Sequence, residues 1–219
     1  MSILRKTAAS SARRTVVVAL CAASAAGCVI TGRDLDRRYA GVNDDPARIL
    51  VCHGYGCDDR QEVSLSAEEW RDVVALFTPP AETAADERAR VAAAIGRMET
   101  FIGVKTGTAG DQARSAVFTF DARGQMDCLD ESTNTTRYLR LFAAQGLLRF
   151  HAVGAIAYRG RLIDGLGPHN AATLQDIVAG QEFAVDSWFH VNGQPAEIMP
   201  LDDWRHGWRP AKSAPPAGE

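Results

Sequence analysis

The stretch "GQMDCLDESTNTTRYLRLF", residues 124–142, decides the fold. Its apolar residues recur at helical spacing, which predicts an amphipathic helix from about Cys128 to Gln145, ended by Gly146. The cysteine stands in the first turn of that helix. Helical patterns precede this stretch along the chain and strand patterns follow it, so the helix marks the boundary between two differently built halves.

The chain before this helix is predicted to be mainly helical. Residues 66–77 form one helix, in which Ser66 and Glu69 occupy the positions of a capping box. Residues 81–102 form a second helix, which Gly103 and the loop after it end. Two short strand candidates come first, "ARILVCHG" at 47–54 and "EVSLS" at 62–66.

After Gly146 the pattern changes to strands separated by Gly, Pro and Asn turns. The predicted strands are "LLRFHAVGAIAYRG" (147–160), "PHNAATLQDIV" (168–178), "EFAVDSWFHVNG" (182–193) and "AEIMPL" (196–201). Helices followed by consecutive strands indicate an α+β fold, with a helical N-terminal half packed on an antiparallel sheet.

The first 28 residues are predicted to be a signal peptide of the lipoprotein type. A basic segment precedes the apolar run "TVVVALCAASAAG" (15–27), which ends in small residues. "SAAGC" (24–28) resembles the lipobox of bacterial lipoproteins, whose cysteine becomes the lipid-bearing first residue of the mature chain. This resemblance implies a lipid anchor on Cys28 and a periplasmic, membrane-attached location in the cell envelope. Ordinary cleavage after Ala25 and an uncleaved anchor are the alternatives.

Length and composition bound the remaining possibilities. With 219 residues, 46% of them hydrophobic, the chain can build one domain with a real core. We predict a tether over 29–46, that domain over 47–208 and a disordered tail over 209–219. The net charge of -3 and the lack of a Lys/Arg-rich stripe beyond the N-terminus give no reason to expect nucleic acid.

Export makes the cysteine count informative, because free thiols are unusual in an oxidising compartment. Two glycines between Cys52 and Cys57 let the chain fold back far enough for a disulfide, so we pair these two cysteines. A zinc site needs more ligands than His53 adds, so no metal and no cofactor are expected. Cys128 then remains the odd thiol, which has a disulfide partner, is buried and inert, or does chemistry.

Cys128, His169 and Asp186 are candidates for the three roles of cysteine catalysis: nucleophile, base and the group that orients the base. A helix N-terminus lowers the pKa of a thiol through its dipole and free N–H groups, although the acidic residues around Cys128 oppose a thiolate. Adjacent antiparallel strands can bring His169 and Asp186 side by side. The backbone N–H of Cys128 and the side-chain amide of Gln125 are candidate oxyanion donors.

The order of a helix-borne Cys, a His on a strand and an Asp on the next strand resembles the transglutaminase-like superfamily, a papain-like group. The similar segments, within about residues 120–205, are "DCLDESTNTTRYL" (127–139), "PHNAATLQD" (168–176) and "FAVDSW" (183–188). The resemblance implies a papain-like core in which Cys128 is the nucleophile, His169 the base and Asp186 the orienting carboxylate.

Three functions are compatible with these features. We favour an exported cysteine hydrolase or acyltransferase acting on amide bonds of a protein or peptide, as a peptidase, amidase or protein crosslinker. The second is a catalytically inactive transglutaminase-like envelope lipoprotein with a binding or scaffolding role. The third is a structural lipoprotein in which Cys128 is disulfide-linked to Cys52 or Cys57.

Other polar and aromatic residues receive structural interpretations. His151 is predicted to be structural, and Glu99 to be a surface or helix-packing charge. Trp188 lies two residues beyond Asp186, on the same face of the predicted strand, where it would shield the pair of His169 and Asp186.

Overall fold

The computed structural model describes residues 45–115, 123–160 and 168–211. The predictions for the signal peptide, for Cys28, for nearly all of the tether and for residues 212–219 lie outside the described residues. The elements in chain order are β1 (Ile49–His53), β2 (Asp59–Val63), α1 (Ala67–Ala75), α2 (Ala84–Thr106), α3 (Cys128–Ala144), β3 (His151–Val153), β4 (Ala157–Arg159), β5 (His169–Asp176), β6 (Glu182–Asp186), β7 (Glu197–Pro200) and α4 (Leu201–Arg205). The predicted α+β class is confirmed.

The N-terminal half contains a hairpin followed by two helices. Strands β1 and β2 pair in antiparallel register, and β2 lies slightly earlier in the chain than the predicted strand at 62–66. Helix α1 has the predicted capping box: Ser66 Oγ accepts from the Glu69 N–H at 3.1 Å, and Glu69 Oε2 accepts from the Ser66 N–H at 2.6 Å. These reciprocal bonds satisfy two N–H groups that would otherwise be unpaired at the helix start.

Helix α2 is longer than predicted, because Gly103 lies inside it and not at its end. The helix ends at Gly107, which adopts the left-handed conformation with φ 78°. Gly103 serves packing instead: its carbonyl accepts from Ala109 N–H at 3.1 Å, and a Cβ at Gly103 would press on the Ala109 backbone. No helix within the described ranges is both long enough and apolar enough to cross a membrane.

The C-terminal half is an antiparallel sheet with β5 at its centre. Its strand order is β3-β5-β6-β7. Strand β4 also pairs with β5, on the same edge as β3 but nearer the start of β5. The single strand predicted over 147–160 is therefore two short strands. They separate at Gly154, where Thr173 Oγ1 donates to the carbonyl of Ala155 at 2.7 Å and where a side chain would collide with that hydroxyl.

The last two predicted strands are also shorter than expected. Strand β6 ends at Asp186, and the next residue, Ser187, donates from its side chain to the buried Glu131 at 2.6 Å. Strand β7 ends at Pro200, and the chain continues directly into α4, a helix that the sequence patterns did not predict. Helix α4 buries Trp204 completely, against the sheet.

The predicted helix α3 is buried on almost every side, so it lacks the solvent-exposed face that an amphipathic helix usually has. Its apolar residues pack in the main core against α2 and β5. Its polar residues face the open edge of β1, where the Asn134 amide bonds both the N–H and the carbonyl of Cys52 at 2.8 Å. Arg137 Nη1 donates to the carbonyl of Leu50 at 2.9 Å. Side chains of α3 thus take the place of a neighbouring strand along β1.

Candidate functional site

His169 and Asp186 form a buried hydrogen-bonded pair, with 2.7 Å between His169 Nε2 and Asp186 Oδ2. Strand β5 begins at His169 and the neighbouring strand β6 ends at Asp186, so the sheet brings the two side chains to one end. Because a carboxylate only accepts hydrogen bonds, Nε2 carries a proton, and in the neutral imidazole Nδ1 is then an acceptor. Nδ1 is buried and has no hydrogen-bond partner.

Two tryptophans hold this pair. Trp204 Nε1 donates to the same Asp186 Oδ2 at 2.7 Å, so one carboxylate oxygen accepts from both an indole and an imidazole. The Trp188 ring lies 4.5 Å from the His169 ring between centroids and is itself fixed by donation to the carbonyl of Ser115 at 2.6 Å. The rings exclude water from the pair and fix the imidazole plane. The bond of Trp204 was not foreseen, since no sequence pattern connects α4 with β6.

Cys128 is the first residue of α3, half-buried, with a free thiol. The backbone N–H of Asn170 lies close enough to its sulfur to favour the thiolate. Asn170 directly follows His169, so the thiol lies beside the start of β5. The three predicted residues therefore meet at one place in the fold, although no hydrogen bond joins the Cys128 sulfur to His169 Nδ1 in this state.

The thiol of Cys128 does not have the lowered pKa expected of a helix N-terminus. Burial raises its pKa to about 12; the Asn170 N–H opposes this, while the carboxylates, Asp127 first among them, add to it. Asp127 also caps α3, accepting from the N–H groups of Leu129 and Asp130 at 3.0 Å each, and so occupies donors that would stabilise a thiolate. The resting thiol is protonated at neutral pH and needs a base to react.

A disulfide joins Cys52 and Cys57, with 4.6 Å between their Cα atoms, as predicted. The loop that it closes holds the first turn of α3. The N–H groups of Tyr55 and Cys57 donate to the Asp130 carboxylate at 2.8 Å and 2.6 Å. Because Cys128 is not part of this bond, the hypothesis that Cys128 is disulfide-linked to Cys52 or Cys57 is wrong.

Removing the disulfide should loosen this turn. We expect the variant with both Cys52→Ser and Cys57→Ser to lose about 2 kcal/mol of unfolding free energy, the chain-entropy value for so short a loop. Urea denaturation checks this, with Cys128→Ser as the control that also removes a sulfur but leaves the loop closed. Equal urea midpoints for the double variant and the control would show that the disulfide does not stabilise the first turn of α3.

The side chain of Gln125 is engaged in the loop before α3. Its Oε1 accepts from Ser115 Oγ at 2.7 Å, and its Nε2 donates to the carbonyls of Gly110 and Gly124 at 3.2 Å and 3.3 Å. The oxyanion role of Gln125 stays a prediction, and these donor bonds would have to break for it. Its backbone carbonyl accepts from the N–H of Gly54 at 3.1 Å, which ties the disulfide loop to the same region.

A buried cluster of carboxyl groups lies beside Ser187, the residue that follows Asp186. It consists of Glu99, Asp111 and Glu131, and Ser187 joins it to β6. Glu99 was predicted to be either a surface charge or a helix-packing charge. It is not a surface charge, because the residue is only 4% exposed and its carboxylate accepts from the Gly193 N–H at 3.1 Å. Its burial depends on the loop 187–196, almost a hundred residues further along the chain.

Burial shifts the acidity of all three groups. It raises the pKa of Glu99 to about 8 and that of Asp111 to about 6, and it raises the pKa of Glu131 well above the ordinary value. The carboxyl groups of Glu131, Asp111 and Glu99 lie close enough for their charges to affect one another's pKa. Burial therefore favours the protonated, uncharged form of these carboxyl groups.

Outside these groups, His151 is buried and paired with Glu87 at 2.9 Å, as its predicted structural role implies. Within the described ranges, no group of three or more His, Cys, Asp or Glu side chains is arranged to hold a metal ion. No family model, no curated protein and no solved structure matches this chain. Functional interpretation therefore rests on the residues and their geometry.

Proposed function

We propose that this chain is an exported, transglutaminase-like cysteine hydrolase or acyltransferase that acts on amide bonds of proteins or peptides from a lipid anchor at Cys28 in the cell envelope. The observation that carries the proposal is the His169–Asp186 pair, whose free Nδ1 lies in a buried position next to the residue that contacts Cys128. A thiol of raised pKa needs a base to remove its proton, and this pair offers one because its tautomer is fixed and its second ring nitrogen is unused.

In the proposed reaction, His169 Nδ1 takes the thiol proton of Cys128 as the sulfur attacks the carbonyl carbon of the amide. Asp186 keeps the proton on Nε2 and stabilises the imidazolium that forms. The imidazolium then protonates the leaving amine, and the C–N bond breaks to leave a thioester on Cys128. Attack by water gives hydrolysis, attack by an amine gives acyl transfer, and either one returns the proton to the sulfur.

The raised pKa of Cys128 favours a second candidate function. A thiol that is protonated and not bonded to the imidazole also fits an inactive envelope lipoprotein with a binding or scaffolding role. The two functions differ in whether His169 can remove the thiol proton, and this is measurable without a known substrate.

The reactivity of Cys128 with iodoacetamide tests the proposal. If His169 accepts the proton, the alkylation rate should be substantial at pH 7. His169→Gln should lower the rate at pH 7 by about 100-fold or more, the usual contribution of a general base, and should leave reactivity only at strongly alkaline pH. Mass spectrometry of the peptide that contains Cys128 measures the rate separately from the other thiols.

His151→Gln is the matched control, because it changes another buried, carboxylate-paired histidine outside the site. It should leave the alkylation rate of Cys128 unchanged in protein that remains folded by circular dichroism. A wild-type rate at pH 7 no greater than that of the His169→Gln variant would support the inactive lipoprotein instead.

A further inference from the structure

A pocket of about 110 Å³ opens beside His169. Its lining includes His169, the aromatic rings of Trp188 and Phe189, and three arginines, Arg114, Arg159 and Arg209. None of the described residues on its walls is acidic. The walls therefore combine flat apolar surface with three positive charges, next to the imidazole that the proposed reaction uses.

Arg159 is fixed at the inner side of this pocket. Strand β4 pairs it directly with His169 in register. Its Nη1 donates to the carbonyl of Trp204 and, at 3.0 Å, to that of Trp208, and its guanidinium carbon lies 4.4 Å from the centre of the Trp204 ring. The negative charge of Asp186 also acts on Arg159, but that carboxylate already accepts from His169 and Trp204.

Arg114 and Arg209 bring two further charges to the same pocket. Arg114 adopts the left-handed backbone conformation with φ 63°, which is uncommon for a side chain of this size, and its N–H donates to the carbonyl of Trp188 at 2.8 Å. Its guanidinium lies 5.6 Å from the Phe189 ring centre. Arg209 is exposed and repels the charge of Arg159. An anion bound among the three would relieve this repulsion.

We propose that this pocket binds a carboxylate group of the substrate, so that the amide bond presented to Cys128 belongs to an acidic peptide. The inference rests on the proposed function, because it gives that site a substrate class. A guanidinium matches a carboxylate in shape and can donate to both of its oxygens. The carboxylate would come from a glutamate or aspartate side chain or from the peptide terminus, since both present the same group.

Binding to the full chain with Cys128→Ala tests the pocket without turnover. Three probes are compared: acetyl-Ala-Glu-Ala-amide, the uncharged acetyl-Ala-Gln-Ala-amide, and acetyl-Ala-Gln-Ala with a free terminal carboxylate. NMR shifts of the Trp188 backbone and indole N–H groups give each dissociation constant. We expect one or both carboxylate peptides to bind about tenfold or more tightly than the uncharged one, and the one that does identifies the source of the carboxylate.

Arg114→Gln and Arg209→Gln should each reduce that preference to about threefold or less, through loss of one charged hydrogen-bond partner. Arg71→Gln, an exposed arginine on α1 that does not line the pocket, should leave it unchanged. Equal binding of all three peptides, or a preference that survives both pocket variants, would overturn the inference. If the carboxylate peptides bind more tightly but Cys128 is unreactive, the proposed hydrolase is refuted and the carboxylate-binding pocket is supported. If Cys128 is reactive but the peptides bind equally, the pocket is refuted and the hydrolase is supported.

Discussion

Asp186→Ala is expected to lower the alkylation rate of Cys128 at pH 7 by about 10- to 100-fold and to destabilise the protein by about 2–4 kcal/mol. Both effects follow from one atom. Asp186 Oδ2 accepts from His169 Nε2 and from Trp204 Nε1, at 2.7 Å each, and all three side chains are buried. Alanine would leave two buried donors without an acceptor and would free the imidazole to change tautomer.

The loss of reactivity should be smaller than that of His169→Gln, because Asp186 orients the base and takes no proton. Iodoacetamide kinetics and urea denaturation of the same preparations measure the two effects. Unchanged stability of Asp186→Ala would mean that the two donor bonds contribute little to the fold.

Asp186→Asn is the matched variant, because its amide oxygen can occupy the place of Oδ2 and accept both bonds. We expect it to recover most of the lost stability and to keep the imidazole tautomer, while losing the negative charge that stabilises an imidazolium. Its alkylation rate should therefore fall between those of the wild type and of Asp186→Ala. A rate as low as that of the alanine variant would show that the charge matters more than the orientation.

The stability of the protein is expected to fall as the pH rises from about 5 to about 9, by on the order of 3 kcal/mol. The cause is the cluster of Glu99, Asp111 and Glu131, whose pKa values burial raises above those of an unfolded chain. The unfolded carboxyl groups release their protons near pH 4, while the folded cluster retains protons to higher pH. Folding is therefore favoured below pH 4 to 5 by these groups, and this contribution is lost through the folded pKa values of about 6 and about 8.

Glu131→Gln should remove much of this dependence. A glutamine at 131 can accept from Ser187, as Glu131 does, without ever becoming charged. The variant should match the wild type near pH 5 and exceed its stability at pH 9. Urea denaturation across this range, in the Cys128→Ser background to prevent thiol exchange at high pH, measures both. A wild-type stability that is equal at pH 5 and pH 9 would contradict the buried protonated cluster.

Sequence alone was sufficient for features that depend on near neighbours. The capping box of α1, the start of α3 at Cys128 and the disulfide between Cys52 and Cys57 each involve residues a few positions apart. Their local geometry is set by helix periodicity, capping and short loop closure, which a linear pattern contains. The pairing of His169 with Asp186 was also predictable, because neighbouring antiparallel strands bring the start of one strand beside the end of the next.

Only the tertiary structure decided what is buried and what each polar group meets. The polar side of α3 looks solvent-facing in sequence, yet it pairs with the edge of β1, and Glu99 is buried by a loop almost a hundred residues away. Trp204 reaches Asp186 from a helix that no pattern indicated, and the raised pKa of Cys128 follows from the same packing. The physical reason is that desolvation and electrostatic energy depend on distances in space, which the spacing of residues along a chain does not contain.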